Sequence, residues 1–168
     1  PEKVVRAQED MGSDIAMILD HCVAYPATRE EVESSVEVTL EWAERSLETH
    51  SLREQALFGI VQGGTYADVR ERSARETARL GFAGYGIGGL SVGEPREIML
   101  DCLEVQAGIL PEERPRHLLG IGDPEGLVEA VARGMDLFDC VLPTRLARNG
   151  VALTRRGRIN LRHARYRE

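Results

Sequence analysis

Each of five short apolar runs in the chain ends in acids, an amide or bare glycine backbone, groups that can bind and transform a polar ligand. The segments that follow these runs are Asp20-His21-Cys22, Gln62-Gly63-Gly64, Gly88-Gly89-Leu90, Gly120-Ile121-Gly122 and Asp139-Cys140. Parallel α/β folds place their sites beyond the carboxyl ends of the strands, so these segments are expected to converge on one face. This composition predicts a pocket for a flat, hydrogen-bonding ligand.

Asp20 and Gln62 have the donors and acceptors that the edge of a guanine ring requires. A carboxylate accepts hydrogen bonds from a ring N–H and an exocyclic NH₂ together, and a carboxamide can both donate and accept. Two plainer interpretations stay open at this point. Asp20 could cap the connection into the next turn, and the glycines could serve only tight turns between strands and helices.

Asp139 lies between Phe138 and Cys140 at the end of an apolar run, where a partly buried carboxylate is either structural or reactive. Arg145 and Arg148 follow closely, and arginines bind phosphates through a fixed fork of donors. A carboxylate nucleophile beside a phosphate-binding patch suits chemistry at the sugar carbon of a nucleotide. Retaining glycosidases use a carboxylate in this way to capture an oxocarbenium-like centre.

Charge is distributed unevenly along the chain, whose formal net charge is -7. Residues 143–168 contain eight arginines and one acidic residue, whereas residues 1–142 contain 13 basic and 27 acidic residues. An acidic body with an arginine-rich end indicates a polyanionic partner that binds at one place. The plainer alternative is an ordinary solvated hairpin and tail.

The spacing of apolar and helix-capping residues predicts the elements that position these groups. Strands are expected over 13–19, 57–61, 85–87, 116–119 and 137–141, helices over 28–50, 65–80, 95–108 and 123–134, and a hairpin over 151–154 and 158–161. Thr28 with Glu31 and Thr65 with Asp68 have the spacing of capping boxes. Asp123-Pro124 indicates an N-cap followed by proline in the first turn, and Pro95 suits the first turn of the third helix.

Strands that alternate with helices predict an α/β fold with a parallel sheet. Five strands and four helices make about half of a (β/α)₈ TIM barrel, which typically needs ~250 residues, so a partial barrel is expected, with a doubly wound sheet as the alternative. Residues 1–168 are expected to form a single domain. The segment at 84–89 matches GxGxxG by letter, but too little strand precedes it and the next helix starts only near Pro95, so no dinucleotide site is predicted.

Three widely spaced cysteines, Cys22, Cys102 and Cys140, form no CxxC pair and cannot all pair within the chain. A reducing, cytoplasmic compartment is the simplest interpretation, and no metal site is predicted from these residues. No run of about 18 apolar residues is present, so no membrane span is expected. The start at Pro1, without an initiator Met or a leader, suggests a piece of a longer chain.

Several long strings in the sequence are characteristic of one enzyme family. FDCVLPTR at 138–145 with ARNG at 147–150, GIVQGG at 59–64 and GGLSVGEP at 88–95 are the most specific of them. SDIAMILDHC at 13–22 and HLLGIGDPEGLVEAVARG at 117–134 extend the match in register over nearly the whole chain. On these strings, the chain resembles the tRNA-guanine transglycosylases of bacterial type.

The resemblance implies a reaction and a role for each site residue. Asp139 matches the nucleophile that attacks C1′ of the guanosine at the anticodon wobble position, 34, expels guanine and forms a covalent intermediate. Arg145 and Arg148 match residues that hold the anticodon loop. Positions that bind the exchanged base, or that neighbour its pocket, are matched by Asp20, Cys22, Gln62, Gly89, Leu90 and Leu119. Leu119 departs mildly from the methionine that is frequent in the family, a change of similar volume.

The resemblance also implies features of a full-length enzyme. Val92 resembles bacterial members, which insert the aminomethyl base preQ1 into tRNAs with a GUN anticodon during queuosine biosynthesis. Family members carry a second catalytic aspartate in an N-terminal segment and a C-terminal subdomain that holds structural Zn²⁺ with three Cys and one His. Neither is matched in this chain, so no cofactor is expected here and the isolated fragment is expected to be inactive. A homodimer is expected for the full-length protein.

Two other functions remain as alternatives at the level of sequence. One is a non-catalytic tRNA-binding subunit of the same family, although such subunits tend to lose the catalytic residues that this chain retains. The other is a phosphate-binding TIM-barrel enzyme that acts on a small metabolite, because glycine-rich loops next to helix N-termini attract anions. The number of arginines near the end of the chain favours a larger polyanion.

Overall fold

A computed structural model describes residues 1–166, so Arg167 and Glu168 of the predicted arginine-rich tail lie outside the described residues. Helices and strands alternate through most of the chain. The helices are α1 (Glu2–Met11), α2 (Arg29–Thr49), α3 (Ala67–Leu80), α4 (Arg96–Ala107), α5 (Pro124–Val131) and α6 (Leu142–Arg148), with a 3₁₀ turn at Ala164–Tyr166. The strands are β1 (Ile15–Met17), β2 (Ala56–Val61), β3 (Gly84–Ile87), β4 (Arg116–Leu118), β5 (Leu137–Phe138), β6 (Val151–Thr154) and β7 (Gly157–Asn160).

Strands β1 to β5 form one parallel sheet in which each strand pairs with the next one along the chain. A doubly wound sheet would require a point at which the strand order reverses, and this order has none. Sequential parallel strands with intervening helices are the arrangement of a partial (β/α)₈ barrel, which confirms the predicted fold class. Strands β6 and β7 form the predicted antiparallel hairpin.

The two faces of the sheet are filled in different ways. The outer face packs against the helices in one continuous apolar core. On the inner face β3 presents only glycine: a Cβ at Gly84 would collide with the ring of Phe58, and a Cβ at Gly86 would lie 2.6 Å from Met17 Cε. Side chains of β1 and β2 therefore occupy the space that the glycine strand leaves, which accounts for the alternating glycines in the third apolar run.

Helix α2 begins with the predicted capping box. Thr28 Oγ1 accepts from the Glu31 N–H at 3.3 Å, and the Glu31 carboxylate accepts from the Thr28 N–H at 2.8 Å. The second predicted box, Thr65 with Asp68, is wrong, because α3 begins later, with Tyr66 at its N-cap and no side-chain cap. The Asp68 carboxylate instead binds a guanidinium of α2 at 2.8 Å, and this contact joins the two helices.

The starts of α4 and α5 also test the capping pattern. Asp123 accepts from the Gly126 N–H at 2.9 Å and Pro124 is the first helical residue, as predicted. Pro95 stands at the N-cap of α4 rather than in its first turn. The two positions differ by one residue. At either of them a backbone N–H would have no acceptor within the helix, so proline, which has no N–H, is tolerated at both.

The edges of the sheet and the ends of the chain depart most from the predictions. β1 covers three residues of the predicted 13–19, and β5 covers two of the predicted 137–141. Each of these strands pairs with one neighbour only, so only one ladder of backbone hydrogen bonds defines its length. Helices α1 and α6 are additions to the four predicted helices; Pro143, which lies in the first turn of α6, is compatible with a helix start as well as with a loop.

The capping box predicts a measurable loss of stability. In Thr28→Ala the Glu31 N–H loses its side-chain acceptor, so the free energy of unfolding should fall by about 1 kcal/mol. Thr65→Ala is the matched control, because its side chain caps no helix; its change should stay within about 0.5 kcal/mol. Urea denaturation followed by circular dichroism measures both values, and equal losses in the two variants would contradict the assigned cap.

Candidate functional site

The carboxyl ends of β1 and β2 bring the two predicted base-binding side chains into contact. Gln62 Nε2 donates to Asp20 Oδ2 at 2.5 Å. Gln62 is fully buried, and its Oε1 has no hydrogen-bond partner among the described residues. Because an ionised carboxylate can only accept, the contact fixes the orientation of the amide, with NH₂ toward Asp20 and the carbonyl oxygen free. The plainer interpretation of Asp20 as a cap of the following turn is therefore not needed to account for its position.

Two glycines after β3 make room for the Gln62 carboxamide. A Cβ at Gly88 would lie 2.5 Å from Gln62 Nε2, and a Cβ at Gly89 would collide with Gln62 Oε1. Gly89 also has a φ of 66°, in the left-handed region that favours glycine. The glycines thus do more than allow a turn, because they let the backbone approach the amide directly.

Arg70, on α3, is a site residue that sequence analysis missed. Its side chain is fully buried, with Nε donating to Gly64 O at 2.6 Å and Nη2 donating to Gly88 O at 2.9 Å. The guanidinium therefore joins the loop after β2 to the loop after β3. Burial lowers the pKa of Arg70 to about 10, which leaves it protonated at neutral pH. An available signal was its place beside Val69 on the apolar stripe of α3, where an unpaired arginine is unusual.

Cys22 lies in the loop after β1, close to the same groups. Desolvation of the thiol by its surroundings raises its pKa, and the Asp20 charge raises it further, while the nearby Gly89 backbone and Gln62 side chain act in the opposite direction. A cavity of about 620 Å³ adjoins the site at Cys22 but runs outward toward α2. Its lining residues are His21, Cys22, Val23, Ala24, Pro26, Ala27, Glu30, Glu31 and Ser34. Because neither Gln62 nor Asp139 lines it, we regard it as a groove beside the site.

The two leucines predicted near the base are placed differently from each other. The Leu90 side chain is buried in the main core, so only its backbone can face a ligand at the carboxyl edge of the sheet. Leu119 is half-buried against that core, and its N–H donates to Ile87 O at 3.3 Å just beyond β4. Leu119 can therefore offer part of an apolar wall.

Asp139 lies just beyond β5 and is held from β4. Its Oδ1 accepts from the Gly120 N–H at 3.3 Å and contacts His117 Nε2 at 3.1 Å. The expectation of a partly buried carboxylate is wrong: the side chain is 60% exposed, because β5 is the edge of the sheet. His117 was not among the predicted site residues. Its signal was a polar residue between two buried positions of a strand, Arg116 and Leu118, which directs it to the opposite face.

The predicted site thus consists of two clusters on one edge of the sheet. The first contains Asp20, Gln62 and Gly89 at the ends of β1 to β3, and the second contains Asp139 and its partners at the ends of β4 and β5. No direct contact joins the two carboxylates among residues 1–166. One hydrogen bond joins the loop after β3 to the loop after β4: Ser91 Oγ donates to Gly120 O at 3.3 Å.

Arg145 and Arg148 lie on α6, close in the chain to Asp139, and both are exposed. Among the described residues, neither they nor the arginines that follow them form an ion pair with an acidic side chain. The arginines of this described segment are Arg145, Arg148, Arg155, Arg156, Arg158, Arg162 and Arg165. A surface with this many guanidiniums and no internal counter-charge is suited to a polyanion.

The described residues do not fit a structural zinc ion. Nowhere in residues 1–166 do three or more His, Cys, Asp or Glu side chains come close enough to hold a metal. The three cysteines are free thiols at separate places, exposed at Cys22, buried at Cys102 and half-buried at Cys140. Within the same residues, no helix has the length and apolar composition that crossing a bilayer requires.

Comparison with known proteins identifies the family. A sequence model described as queuine tRNA-ribosyltransferase matches residues 1–168. The chain belongs to the queuine tRNA-ribosyltransferase family. It is 56% identical over 166 residues to the queuine tRNA-ribosyltransferase of Pelotomaculum thermopropionicum, covering 99% of the chain and 45% of that protein.

Two further members of the queuine tRNA-ribosyltransferase family have similar relationships to the chain. The protein of Moorella thermoacetica is 56% identical over 166 residues, with 99% of the chain and 44% of that protein covered. The protein of Bacillus velezensis is 52% identical over 167 residues, with 99% and 44% covered. The chain therefore spans about 45% of the length of these relatives. The family resemblance noted in the sequence is confirmed.

The surroundings of Cys22 predict how its alkylation depends on pH in this family member. Only the thiolate reacts, and the raised pKa keeps the thiol protonated at neutral pH. The midpoint of iodoacetamide labelling should therefore lie above the value of about 8.5 for an unperturbed cysteine. Asp20→Asn removes one charge that raises the pKa, so its midpoint should move to lower pH, as measured by mass spectrometry of the labelled peptide.

The control for this experiment is Asp14→Asn. Asp14 is an exposed carboxylate just before β1, at the amino ends of the strands, away from Cys22. It should leave the Cys22 midpoint unchanged. An Asp20→Asn profile that superimposes on the Asp14→Asn profile would show that Asp20 does not act on the thiol, and would contradict the arrangement at the end of β1.

Proposed function

We propose that the chain is the base-exchanging part of a tRNA-guanine transglycosylase, a pentosyltransferase that replaces guanine at wobble position 34 with preQ1 in tRNAs with a GUN anticodon. The observation that carries the proposal is the contact between Asp20 and Gln62, on the same sheet edge as the exposed Asp139 carboxylate. The names of the relatives, queuine tRNA-ribosyltransferase, agree with a ribosyl transfer to a deazaguanine base. The place of the reaction is queuosine biosynthesis.

The first cluster supplies the groups that recognise the base. The Asp20 carboxylate has lone pairs left for the ring N–H and the exocyclic NH₂ of guanine or preQ1, and Gln62 Oε1 is a buried acceptor with no partner among the described residues. The backbone of Gly89 lies beside the same amide, and Leu90 is the next residue along the loop. An unpartnered buried acceptor costs free energy until a donor reaches it, so binding of a base with N–H groups is favoured.

Asp139 is the proposed nucleophile. Its carboxylate forms a bond to ribose C1′ as the C1′–N9 bond breaks, and the electron pair of that bond leaves with guanine. The incoming base then attacks C1′ through its ring nitrogen and Asp139 leaves, so two inversions retain the configuration. The proton that guanine gains is equivalent to the one that the incoming base loses, and the exchange is balanced.

The substrate backbone is proposed to bind on α6 and the hairpin. Arg145 and Arg148 are exposed and lie within one helix that starts three residues after Asp139. Their fork of donors is suited to the phosphates that flank the exchanged nucleotide. This places phosphate binding next to the reacting sugar rather than on the acidic part of the surface.

Further properties belong to the proposal for the complete protein. Val92 is 43% exposed in the loop after β3, and its resemblance to bacterial family members supports preQ1 as the incoming base. The free thiols fit a reducing cytoplasm. Structural Zn²⁺ and a homodimer are proposed for the full-length protein on the family resemblance alone. The fragment alone is expected to lack activity.

The test of the proposal uses Asp139→Asn in a full-length version of the protein. Incubation with tRNA and denaturing electrophoresis should trap a covalent adduct with the wild type and none with the variant, because a carboxamide is a poor nucleophile. Asp101→Asn, an exposed carboxylate on α4, is the control and should form adduct like the wild type. Adduct formation by Asp139→Asn would refute the nucleophile.

Two other outcomes would identify the alternatives. A wild-type protein that binds tRNA without adduct or exchange would be a non-catalytic tRNA-binding subunit. Binding of a phosphorylated metabolite in place of tRNA, with little dependence on salt, would indicate the metabolic enzyme, because tRNA binding weakens steeply with ionic strength through counterion release.

A further inference from the structure

His117 is a side chain that holds the proposed nucleophile. Its Nε2 lies 3.1 Å from Asp139 Oδ1, and the same oxygen accepts from the Gly120 N–H at 3.3 Å. The imidazole is mostly enclosed, at 17% exposure, while the carboxylate is 60% exposed. Among the described residues both contacts fall on Oδ1, so Oδ2 is the oxygen that remains open to the edge of the sheet.

The environment of His117 singles out Asp139 as its charged neighbour. In the sheet register His117 is paired with Gly86 of β3 and with Leu137 of β5, and neither carries a titratable group. The next positions on its own side of the strand, Pro115 and Leu119, are also uncharged. An ionised carboxylate only accepts, so Nε2 carries the proton in this contact, whether the imidazole is neutral or positively charged.

We propose that His117 is a positioning residue for Asp139, whose Nε2–H holds Oδ1 so that Oδ2 forms and breaks the bond to ribose C1′. The proposal deepens the proposed function and rests on it. The hydrogen bond restricts rotation of an otherwise exposed side chain, so that one lone-pair direction faces the sugar. The Gly120 N–H acts on the same oxygen from the backbone.

The contact has unequal effects on the two steps of the exchange. In the covalent intermediate Oδ2 is bonded to C1′ and Oδ1 is the carbonyl oxygen of an ester. When the incoming base displaces Asp139, the C1′–Oδ2 electron pair returns to the carboxylate, and negative charge develops on Oδ1 as well. A donor on Oδ1 stabilises this charge. His117 should therefore assist the breakdown of the adduct more than its formation.

The test compares two substitutions in the full-length protein. His117→Phe keeps a ring but removes the donor, and His117→Gln keeps an N–H near the position of Nε2 without a titratable group. His117→Phe should lower kcat roughly ten- to hundredfold, with little change in KM for tRNA, and the covalent adduct should persist longer after addition of free base. His117→Gln should recover most of the rate.

A loss confined to kcat, together with rescue by His117→Gln, separates positioning from a general structural effect. His50→Gln is the matched control and should behave like the wild type. His50 follows the last residue of α2, which leads into the amino end of β2, away from Asp139.

Each outcome decides between the claims. A wild type without adduct or exchange rejects the proposed function itself. If the wild type is active and His117→Phe matches it in kcat and adduct lifetime, the role of His117 is overturned while the function stands. The role is also overturned if His117→Gln is as slow as His117→Phe.

Discussion

The buried guanidinium of Arg70 is the contact on which the arrangement of the site depends. It bonds Gly64 O and Gly88 O at once, and thereby sets the distance between the loops that follow β2 and β3. Gln62 is the first residue after β2, and its side chain lies between the two loops. Its amide in turn donates a hydrogen bond to Asp20. A buried cation without a carboxylate partner is costly, as the lowered pKa of Arg70 shows, and the carbonyl contacts offset that cost only with both loops in place.

This arrangement divides the proposed chemistry between a rigid and an accessible part. The proposed base-recognition groups are anchored by the fully buried side chains of Gln62 and Arg70, whereas Asp139 is exposed just beyond β5. Recognition of a planar base requires fixed donors and acceptors, while a nucleophile must be reached by the ribose of a large substrate. The exposed arginines beyond Asp139 belong to the accessible part and are suited to binding a polyanion.

Much of this could be predicted, because parallel strands force their carboxyl ends to one edge. That rule predicted that Asp20 and Gln62 lie on the same face, where they prove to be in contact. The capping chemistry of Thr28 and Asp123 located two helix starts. Local sequence patterns gave wrong predictions where contacts between distant parts of the chain determine the structure. Thr65 has the spacing of a cap, yet α3 starts beyond it. Asp139 follows an apolar run, a pattern that predicts burial. Its strand β5 has a neighbour on only one side, so the carboxylate is exposed.

Arg70 and His117 were missed for a related reason, since each acts on backbone or side-chain groups distant in the chain and neither belongs to a local motif.

The central claim, that Arg70 assembles the base pocket, is tested most directly by calorimetric titration of guanine into the full-length protein. Arg70→Met should weaken guanine binding by roughly tenfold or more while the exposed Arg72→Met binds like the wild type. Arg70→Lys, which cannot span both carbonyls, should be weakened as well. A folded Arg70→Met protein with wild-type guanine affinity would contradict the account.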